Sequence, residues 1–257
     1  MPRLTAEVLL CHALGCERSF LYAHSGDELK TNGWIHFGRY LNERLKGKPT
    51  QYITKRQEFY GREFRVTPDV LIPRPETEHL VEAAISHIQS QRVKRVLDVG
   101  TGSGAIAISV SLETERPIFA CDISLAALKT AEWNREKLGA YVDFFAGDLV
   151  VAIAPSSIDL LISNPPYVPG ADAANMQQEV RDWEPHVALF AGDSGLEIYH
   201  RLTSEAAEVV RPGGRFMVEL EYRSLDAIRE MLSDLWRDID VIHDLAGLPR
   251  VLTATRR

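Results

Sequence analysis

The residues with the most specific chemistry lie in the run Ser163-Asn164-Pro165-Pro166-Tyr167, directly after an apolar segment at 158–162. Proline has no backbone N–H and a fixed φ, so a strand formed by that segment must end at this turn. Asn164 precedes a proline and is therefore pushed into an extended or turn conformation. The turn offers mainly acceptors, namely the side-chain oxygen of Asn164 and the backbone carbonyls of Asn164 and Pro165. We predict that it holds a planar amino group while another group is transferred to it.

A glycine-rich run follows an earlier apolar segment and reads Asp98-Val99-Gly100-Thr101-Gly102-Ser103-Gly104. Glycines let the backbone approach a ligand closely, and the N-terminus of the following helix attracts an anion. The carboxylate of Asp98 favours a nearby cation. The glycine spacing differs from the dinucleotide G-x-G-x-x-G and from the phosphate-binding P-loop. We therefore predict that this run, with Thr101 and Ser103 between the glycines, binds the zwitterionic end of an amino acid.

Two more acidic residues follow predicted strands. Asp122 comes at the end of the segment 117–121, where it is placed to accept hydrogen bonds from both hydroxyls of a ribose. Asp148 comes after the segment 142–146 and could accept from the amino group of an adenine, with Ile123 and Leu149 beside the ring. Ribose, adenine and an amino acid together describe S-adenosyl-L-methionine, which becomes S-adenosyl-L-homocysteine when it gives up its methyl group. The alternative, a nicotinamide cofactor, is disfavoured by the glycine spacing.

The elements that must position these residues alternate between strands and helices from about residue 75 onward. That rhythm predicts an α/β fold with a mostly parallel sheet covered on both faces, and ligands then bind beyond the carboxyl ends of the strands. The last two strands, near 239–243 and 250–255, can form an antiparallel edge. We also predict helices at about 75–89, 105–112, 124–138, 194–210 and 223–236, and a loop at 168–193.

The first part of the chain has a different pattern. Apolar residues recur at helical spacing up to about residue 45, and Gln51-Tyr52-Ile53 with the aromatic stretch 59–66 predicts a β-hairpin. We accordingly predict a helical domain at 1–50 that recognises the substrate, a hairpin linker at 51–73, and a methyltransferase domain at 74–257. A simple helical cap on the main domain is the alternative for the first segment.

Composition narrows the possible partners. The chain has 257 residues, 45% of them hydrophobic, and a formal net charge of −7, which argues against a surface that coats DNA or RNA. It has no apolar run long enough to span a membrane, and Glu7 stands where a signal peptide needs apolar residues. The three cysteines form no CxxC pair and predict free thiols in the cytoplasm. We expect no metal, no direct nucleic-acid contact and a monomer.

Several runs together resemble one family. Besides the glycine-rich run and the Asn-Pro-Pro-Tyr turn, they are Gln51-Tyr52-Ile53, Glu58-Phe59-Tyr60-Gly61, Leu71-Ile72-Pro73-Arg74-Pro75-Glu76-Thr77-Glu78, and Glu184-Pro185 followed by Ala188-Leu189. They resemble the protein-(glutamine-N5) methyltransferases that act on peptide chain release factors. The resemblance implies a class I methyltransferase with a Rossmann-like sheet, preceded by a small helical domain that helps bind the release factor. It further implies methylation of the glutamine in the Gly-Gly-Gln motif.

The resemblance also assigns roles to residues. Gly100 to Gly104 would line the methionine end of the cofactor, Asp122 would hold the ribose, and Leu149 would contact the adenine. Asn164 would accept from the substrate amide, and Pro165, Pro166 and Tyr167 would complete the catalytic turn. Arg74 and Glu76 would be further substrate contacts. Departures from the family pattern occur at Lys55 and Glu221, where glycine is usual, and at Pro249, where an acidic residue is usual.

Three alternatives stay open at this point. A glutamine methyltransferase of a ribosomal protein would carry a similar site. An adenine-N6 methyltransferase uses a closely similar turn, but it needs a flipped base and a basic cleft. A cofactor-binding scaffold without activity would not need the intact Asn164–Tyr167 turn.

Overall fold

The computed structural model describes residues 2–232 and 234–257. The contacts divide the chain into two compact units. The helical unit comprises the chain up to Arg56 together with Met176–Trp183, and the sheet unit comprises Gln57–Asn175 and Glu184–Arg257. Met1 of the predicted helical segment and Ser233 of the predicted helix 223–236 lie outside the described residues.

The helices are α1 (Pro2–Leu14), α2 (Arg18–Ala23), α3 (Thr31–Leu45), α4 (Thr50–Thr54), α5 (Glu78–Ser90), α6 (Ala105–Thr114), α7 (Leu125–Leu138), α8 (Gln178–Trp183), α9 (Glu197–Val209) and α10 (Leu225–Met231). The strands are β1 (Arg56–Phe59), β2 (Arg62–Arg65), β3 (Val96–Val99), β4 (Ile118–Asp122), β5 (Val142–Ala146), β6 (Ile158–Ser163), β7 (Val210–Glu219), β8 (Trp236–His243) and β9 (Pro249–Arg256). No helix among the described residues is long and apolar enough to cross a bilayer.

The helical unit is built on the packing of α1 against α3. Gly33 lies at their closest approach, since a Cβ there would come within 2.7 Å of the Leu14 side chain. Helix α8, from the predicted loop 168–193, belongs to this unit, where Glu179 forms a 2.7 Å ion pair with Arg44. The prediction that residues 51–53 belong to the hairpin is wrong, because they form α4. The hairpin begins only after Lys55, whose left-handed backbone (φ 61°) ends that helix.

The sheet unit contains, within the described ranges, a seven-stranded sheet of order β5-β4-β3-β6-β7-β9-β8. Neighbouring strands from β5 to β7 are parallel, while β9 runs antiparallel to both β7 and β8. The predicted mixed α/β sheet with an antiparallel C-terminal edge is therefore confirmed. Two element ends differ: β7 starts at Val210, before the Gly213-Gly214 turn, and α10 ends at Met231, so that Trp236 opens β8 instead of closing a helix.

Apolar side chains cover both faces of the sheet. One layer packs α5 and α6 on the sheet together with Phe59 and Phe64 of the hairpin, whose rings meet edge to face. The other layer packs α9 and α10, with Tyr199 and Trp236 fully buried. Continuous burial of β3 and β6 on both faces explains their uninterrupted apolar sequences. At their carboxyl ends, the Ser163 hydroxyl donates to the Val99 carbonyl at 2.8 Å and holds the two ends together.

Candidate active site

A cavity of about 230 Å³ lies at the carboxyl ends of the central strands of the sheet unit. Its wall includes residues that the sequence analysis selected: Gly100, Gly102, Asp122, Ile123, Asp148, Leu149, Asn164 and Pro166. The parallel pairing of β3 with β4 and β6, and of β4 with β5, places these distant positions at one edge. One cavity thus joins the glycine-rich run, two acidic residues and the Asn-Pro-Pro-Tyr turn.

The three glycines after β3 have different structural tasks. All have positive φ, and a Cβ on Gly100 or Gly102 would meet no protein atom within 4 Å. Both line the cavity, so their missing side chains leave ligand space. Gly104 instead packs inward, because a Cβ there would lie 2.8 Å from Ile108 and 3.2 Å from Ala131. Its role is to allow close packing of α6 on its neighbours.

Asp98 lies behind the glycine loop and not in the cavity wall. Its side chain is fully buried, and Oδ2 accepts a 2.7 Å hydrogen bond from the Thr101 hydroxyl. Oδ1 has no hydrogen-bond partner among the described residues. Burial raises the pKa of Asp98 to about 7, although the Thr101 hydroxyl opposes the shift. Thr101 and Ser103 are likewise buried, and the carbonyl of Ser103 accepts from Asn134 on α7.

Asp122 connects the cavity wall to the glycine loop. Oδ2 accepts a 2.8 Å hydrogen bond from the backbone N–H of Gly102, and Oδ1 accepts one of 2.8 Å from Ser124. Burial raises the pKa of Asp122, and hydrogen bonds from backbone N–H groups, chiefly those of Ser124 and Gly102, offset part of that effect. Each carboxylate oxygen has two lone pairs and can accept a second hydrogen bond, so acceptor sites remain for a ligand.

Asp148 forms an ion pair with a residue that the sequence analysis did not select. Arg201 on α9 lines the same cavity and donates to both Asp148 oxygens, at 3.1 and 3.0 Å. The next residue, Leu149, has a left-handed backbone (φ 50°), which is uncommon for a residue with a γ-branched side chain. The Cys121 thiol donates to its carbonyl at 3.3 Å.

The Asn164–Tyr167 turn follows β6 and contributes two residues to the wall, Asn164 and Pro166. The Asn164 side chain donates from Nδ2 to the Thr77 hydroxyl at 3.1 Å. Pro165 is buried and lies outside the wall, and Tyr167 packs against the apolar layer of α9. Burial, reinforced by the negative charge of Glu219, raises the pKa of Tyr167 to about 12, so its hydroxyl stays protonated.

Arg74 and Glu76, the other predicted substrate contacts, lie outside the cavity wall. Arg74 donates to Glu184 at 2.5 Å, and the second Glu184 oxygen accepts from the backbone N–H of Ile72. Glu184 is buried, so this pairing anchors the loop before α5. Glu76 is exposed, and its charge contributes to raising the pKa of Tyr167.

The remaining wall residues were missed by the sequence analysis. They are Asp69, Val70, Leu71, Val99, Ser124, Ala127, Gly147, Val187, Ala188, Ile198 and Arg201. Most lie on loops or near the N-terminal ends of α7 and α9, where neither periodicity nor a motif marks them. Leu71, Val99 and Ala188 are exceptions, because each belongs to a run that carries the family resemblance.

Comparison with known proteins identifies the family of this chain. Residues 1–54 match the model described as PrmC N-terminal domain, and residues 79–181 match Methyltransferase small domain. The release factor glutamine methyltransferase of Koribacter versatilis is 43% identical over 257 residues, which cover 99% of this chain and 91% of that protein. The chain belongs to the release factor glutamine methyltransferase family. A second family member, from Bacteroides thetaiotaomicron, is also 43% identical, with 97% of this chain and 91% of that protein covered.

A solved structure supports the fold alone. The crystal structure of a methyltransferase from Pyrococcus furiosus superimposes with a TM-score of 0.57 at 16% identity, covering 85% of this chain and 98% of that one. Membership of the release factor glutamine methyltransferase family and the sheet topology thus agree with the class I methyltransferase fold that the sequence predicted.

Proposed function

We propose that this protein transfers a methyl group from S-adenosyl-L-methionine to the side-chain nitrogen N5 of the glutamine in the Gly-Gly-Gln motif of peptide chain release factors. The observation that carries the proposal is the single cavity that combines the open glycine loop, Asp122 and Asn164. The family of the chain supports the choice of acceptor, since relatives that match nearly the whole chain carry that activity in their names.

The residues present fit S-adenosyl-L-methionine. Gly100 and Gly102 leave open space beside the backbone, and the unpaired Oδ1 of Asp98 lies behind them as an acceptor and negative charge for an ammonium group. Asp122 keeps acceptor capacity for ribose hydroxyls, and Asp148 with Leu149 and Ile123 forms the adenine end of the wall. When bound, this cofactor supplies a methyl group made electrophilic by its sulfonium.

The Asn164–Tyr167 turn would orient the acceptor nitrogen. An amide nitrogen is a weak nucleophile because its lone pair is shared with the carbonyl. Asn164 Oδ1 and the Pro165 carbonyl would accept the two N–H bonds of the glutamine amide and so hold the nitrogen toward the methyl group. Orientation of this kind is worth roughly 7–11 kcal/mol when reactants are well aligned. The surplus proton leaves to water after methyl transfer, since Tyr167 stays protonated and accepts none through its phenol.

The helical unit would contact the release factor. It exposes large apolar side chains on α2 and α3, namely Phe20, Tyr22, Trp34, Ile35 and Leu45. Exposed aromatic and aliphatic side chains at this density are typical of protein-binding surfaces. Trp34→Ala would then raise KM for an intact release factor and leave KM for a short Gly-Gly-Gln peptide unchanged.

One assay tests the proposed acceptor. The purified protein is incubated with methyl-labelled S-adenosyl-L-methionine and, separately, with a release factor, a ribosomal-protein extract and adenine-containing DNA. We expect label in the release factor. Label only in a ribosomal protein or in DNA would replace the proposed acceptor, and no label in any of them would contradict the proposed activity.

A further inference from the structure

A buried carboxylate outside the cavity wall joins two segments that contribute to the wall. Glu184 is 3% exposed, and its two oxygens accept from different groups of one loop. Oε2 accepts a 3.1 Å hydrogen bond from the backbone N–H of Ile72, and Oε1 accepts from the Arg74 guanidinium. A buried carboxylate needs such donors, because it has lost its hydration. Through these bonds Glu184 fixes the backbone of the loop at Ile72.

Both segments that Glu184 joins continue to the cavity. Leu71, which lines the cavity, directly precedes Ile72. In the other segment, Val187 and Ala188 line the cavity shortly after Glu184. The Glu184 carboxylate thus holds two parts of the wall together without lining the cavity itself.

The loop that contains Ile72 also bonds to the Asn-Pro-Pro-Tyr turn. The backbone N–H of Thr77 donates to the Arg74 carbonyl at 3.1 Å, and Asn164 Nδ2 donates to the Thr77 hydroxyl at 3.1 Å. Thr77 is buried, so water does not readily replace these bonds. A displacement of the loop at Ile72 would therefore reach Asn164 through Thr77.

The segment after Glu184 bonds to the other end of the same turn. Val168 directly follows Tyr167, and its backbone N–H donates to the Leu189 carbonyl at 2.9 Å. The Val168 carbonyl accepts from the N–H of Ala191 at 3.1 Å. A closed path of bonds therefore runs from Glu184 through the loop to the turn and back through the second segment.

We propose that Glu184 is a positioning residue for methyl transfer. Its carboxylate joins the loop 69–77 to the segment 184–191, and these two segments hold the turn 164–167 from both ends. The inference rests on the proposed function, in which this turn orients the glutamine amide. Glu184 acts only through the two segments, since it lies outside the cavity wall. A misplacement of reactants by about 1 Å can lower a rate by about 100-fold, so a support of this kind matters for catalysis.

The experiment compares Glu184→Leu with Glu184→Gln in the full chain, with an intact release factor as acceptor. Glu184→Leu removes both acceptors and should lower kcat by about 10- to 100-fold. Glu184→Gln keeps one oxygen for the Ile72 N–H, so kcat should fall by only about 3- to 10-fold, as for one lost hydrogen bond. We expect KM for the release factor to stay within about twofold in both variants, because neither removes a group that touches the substrate.

Asp159 provides the matched control. Its carboxylate also accepts from an arginine side chain, that of Arg211, and from backbone N–H groups, those of Lys94 and Arg95 at 2.8 Å. It lies near the amino end of β6, whereas the cavity lies at the carboxyl ends of the strands. Asp159→Leu and Asp159→Asn should lower the free energy of unfolding and leave kcat within about twofold of the wild type.

Hydrogen–deuterium exchange of the cofactor-free protein tests the same support without any substrate. In Glu184→Leu, backbone amides at 69–77 and 164–168 should exchange at least about tenfold faster than in the wild type. The increase should be smaller in Glu184→Gln and absent in both Asp159 variants. If Glu184→Leu does not fold, the comparison of Glu184→Gln with Asp159→Asn carries the test.

Three results would overturn the inference. They are a kcat within twofold of the wild type in the Glu184 variants, an equal loss of kcat in the matched Asp159 variants, and unchanged amide exchange at 164–168. A wild type that does not methylate the release factor would instead contradict the proposed function. In that case the exchange rates still decide whether Glu184 holds the turn.

Discussion

Arg201 donates two parallel hydrogen bonds to the Asp148 carboxylate, from Nη1 to Oδ1 at 3.1 Å and from Nη2 to Oδ2 at 3.0 Å. Both side chains line the cavity and are nearly half exposed, so the pair itself adds little to folding stability. Its effect is on direction, because a carboxylate held at both oxygens can offer only its remaining lone pairs to a ligand.

Replacing Arg201 should therefore weaken binding of the cofactor. Arg201→Gln frees the Asp148 carboxylate to rotate into water. We expect the binding free energy of S-adenosyl-L-methionine to become less favourable by about 1 kcal/mol, which corresponds to a roughly fivefold higher Kd. The matched control is Arg135→Gln, which removes an arginine paired with Glu132 on α7, outside the cavity. Calorimetry decides the matter: equal affinities for wild type and Arg201→Gln would show that the pair does not direct Asp148.

Asp122 should contribute more than Arg201 to cofactor affinity, since it supports the glycine loop and keeps acceptor sites for the ribose. Asp122→Ala removes a charged acceptor and the partners of the Gly102 and Ser124 amides, whereas Asp122→Asn retains one oxygen. Hydrogen bonds to charged groups contribute about 1.5–3 kcal/mol, so we expect Kd to rise roughly 10- to 100-fold in the alanine variant and less in the asparagine variant. An unchanged Kd in Asp122→Ala would refute the ribose assignment.

Cofactor binding should depend on pH through Asp98. Its pKa of about 7 in the cofactor-free protein comes from burial, and a bound ammonium group would lower it, so binding expels a proton. Below the pKa of the free protein that proton must first leave, and affinity should therefore rise as the pH increases from 5.5 to 7. The α-amino group of the cofactor stays charged over this range.

Calorimetry in two buffers with different ionisation enthalpies measures the released proton. The matched variant is Asp98→Asn, which resembles the protonated acid and has no proton to lose. Its affinity should be lower than that of the wild type at pH 7 and nearly flat with pH. The same proton release in Asp98→Asn would assign the pH dependence to another group.

Lys55 lies in a backbone conformation that suits glycine. Its φ of 61° places it in the left-handed region, where an L-residue with a side chain is penalised by about 1–2 kcal/mol. Glycine has no such penalty but loses more entropy on folding, so Lys55→Gly should raise the free energy of unfolding by about 0.5–1 kcal/mol. Lys46, at φ −81° after α3, is the control, and Lys46→Gly should not stabilise. Denaturant unfolding compares the two variants.

The strand ends were predictable because buried parallel strands leave continuous apolar runs that stop at polar residues. Asp98, Asp122 and Asn164 follow such runs, and parallel pairing carries them to one edge together with Asp148, which follows the less buried edge strand β5. The same logic could not say which residues face the ligand. Asp98 and Gly104 share a motif with Gly100 and Gly102, yet one is buried behind the loop and the other packs on α7.

Site residues that are brought to the cavity by long-range packing could not be predicted from the sequence. Arg201 lies on the surface side of α9, far along the chain from Asp148, and a single arginine on an amphipathic helix carries no signal of a cavity. The helix at Thr50–Thr54 was missed for a related reason. Its β-prone residues Tyr52 and Ile53 are buried within the helical unit, and burial there outweighs their local preference.

The central claim is that Asn164 orients a release-factor glutamine for methylation, and peptide mass spectrometry tests it most directly. A release factor is treated with S-adenosyl-L-methionine and either the wild-type protein or Asn164→Ala, and the peptide containing Gly-Gly-Gln is fragmented. We predict one added methyl group on that glutamine with the wild type. We further predict a loss of most of that methylation with Asn164→Ala, which should still bind S-adenosyl-L-homocysteine nearly as tightly. Methylation at another residue, or equal methylation by both proteins, would contradict the account.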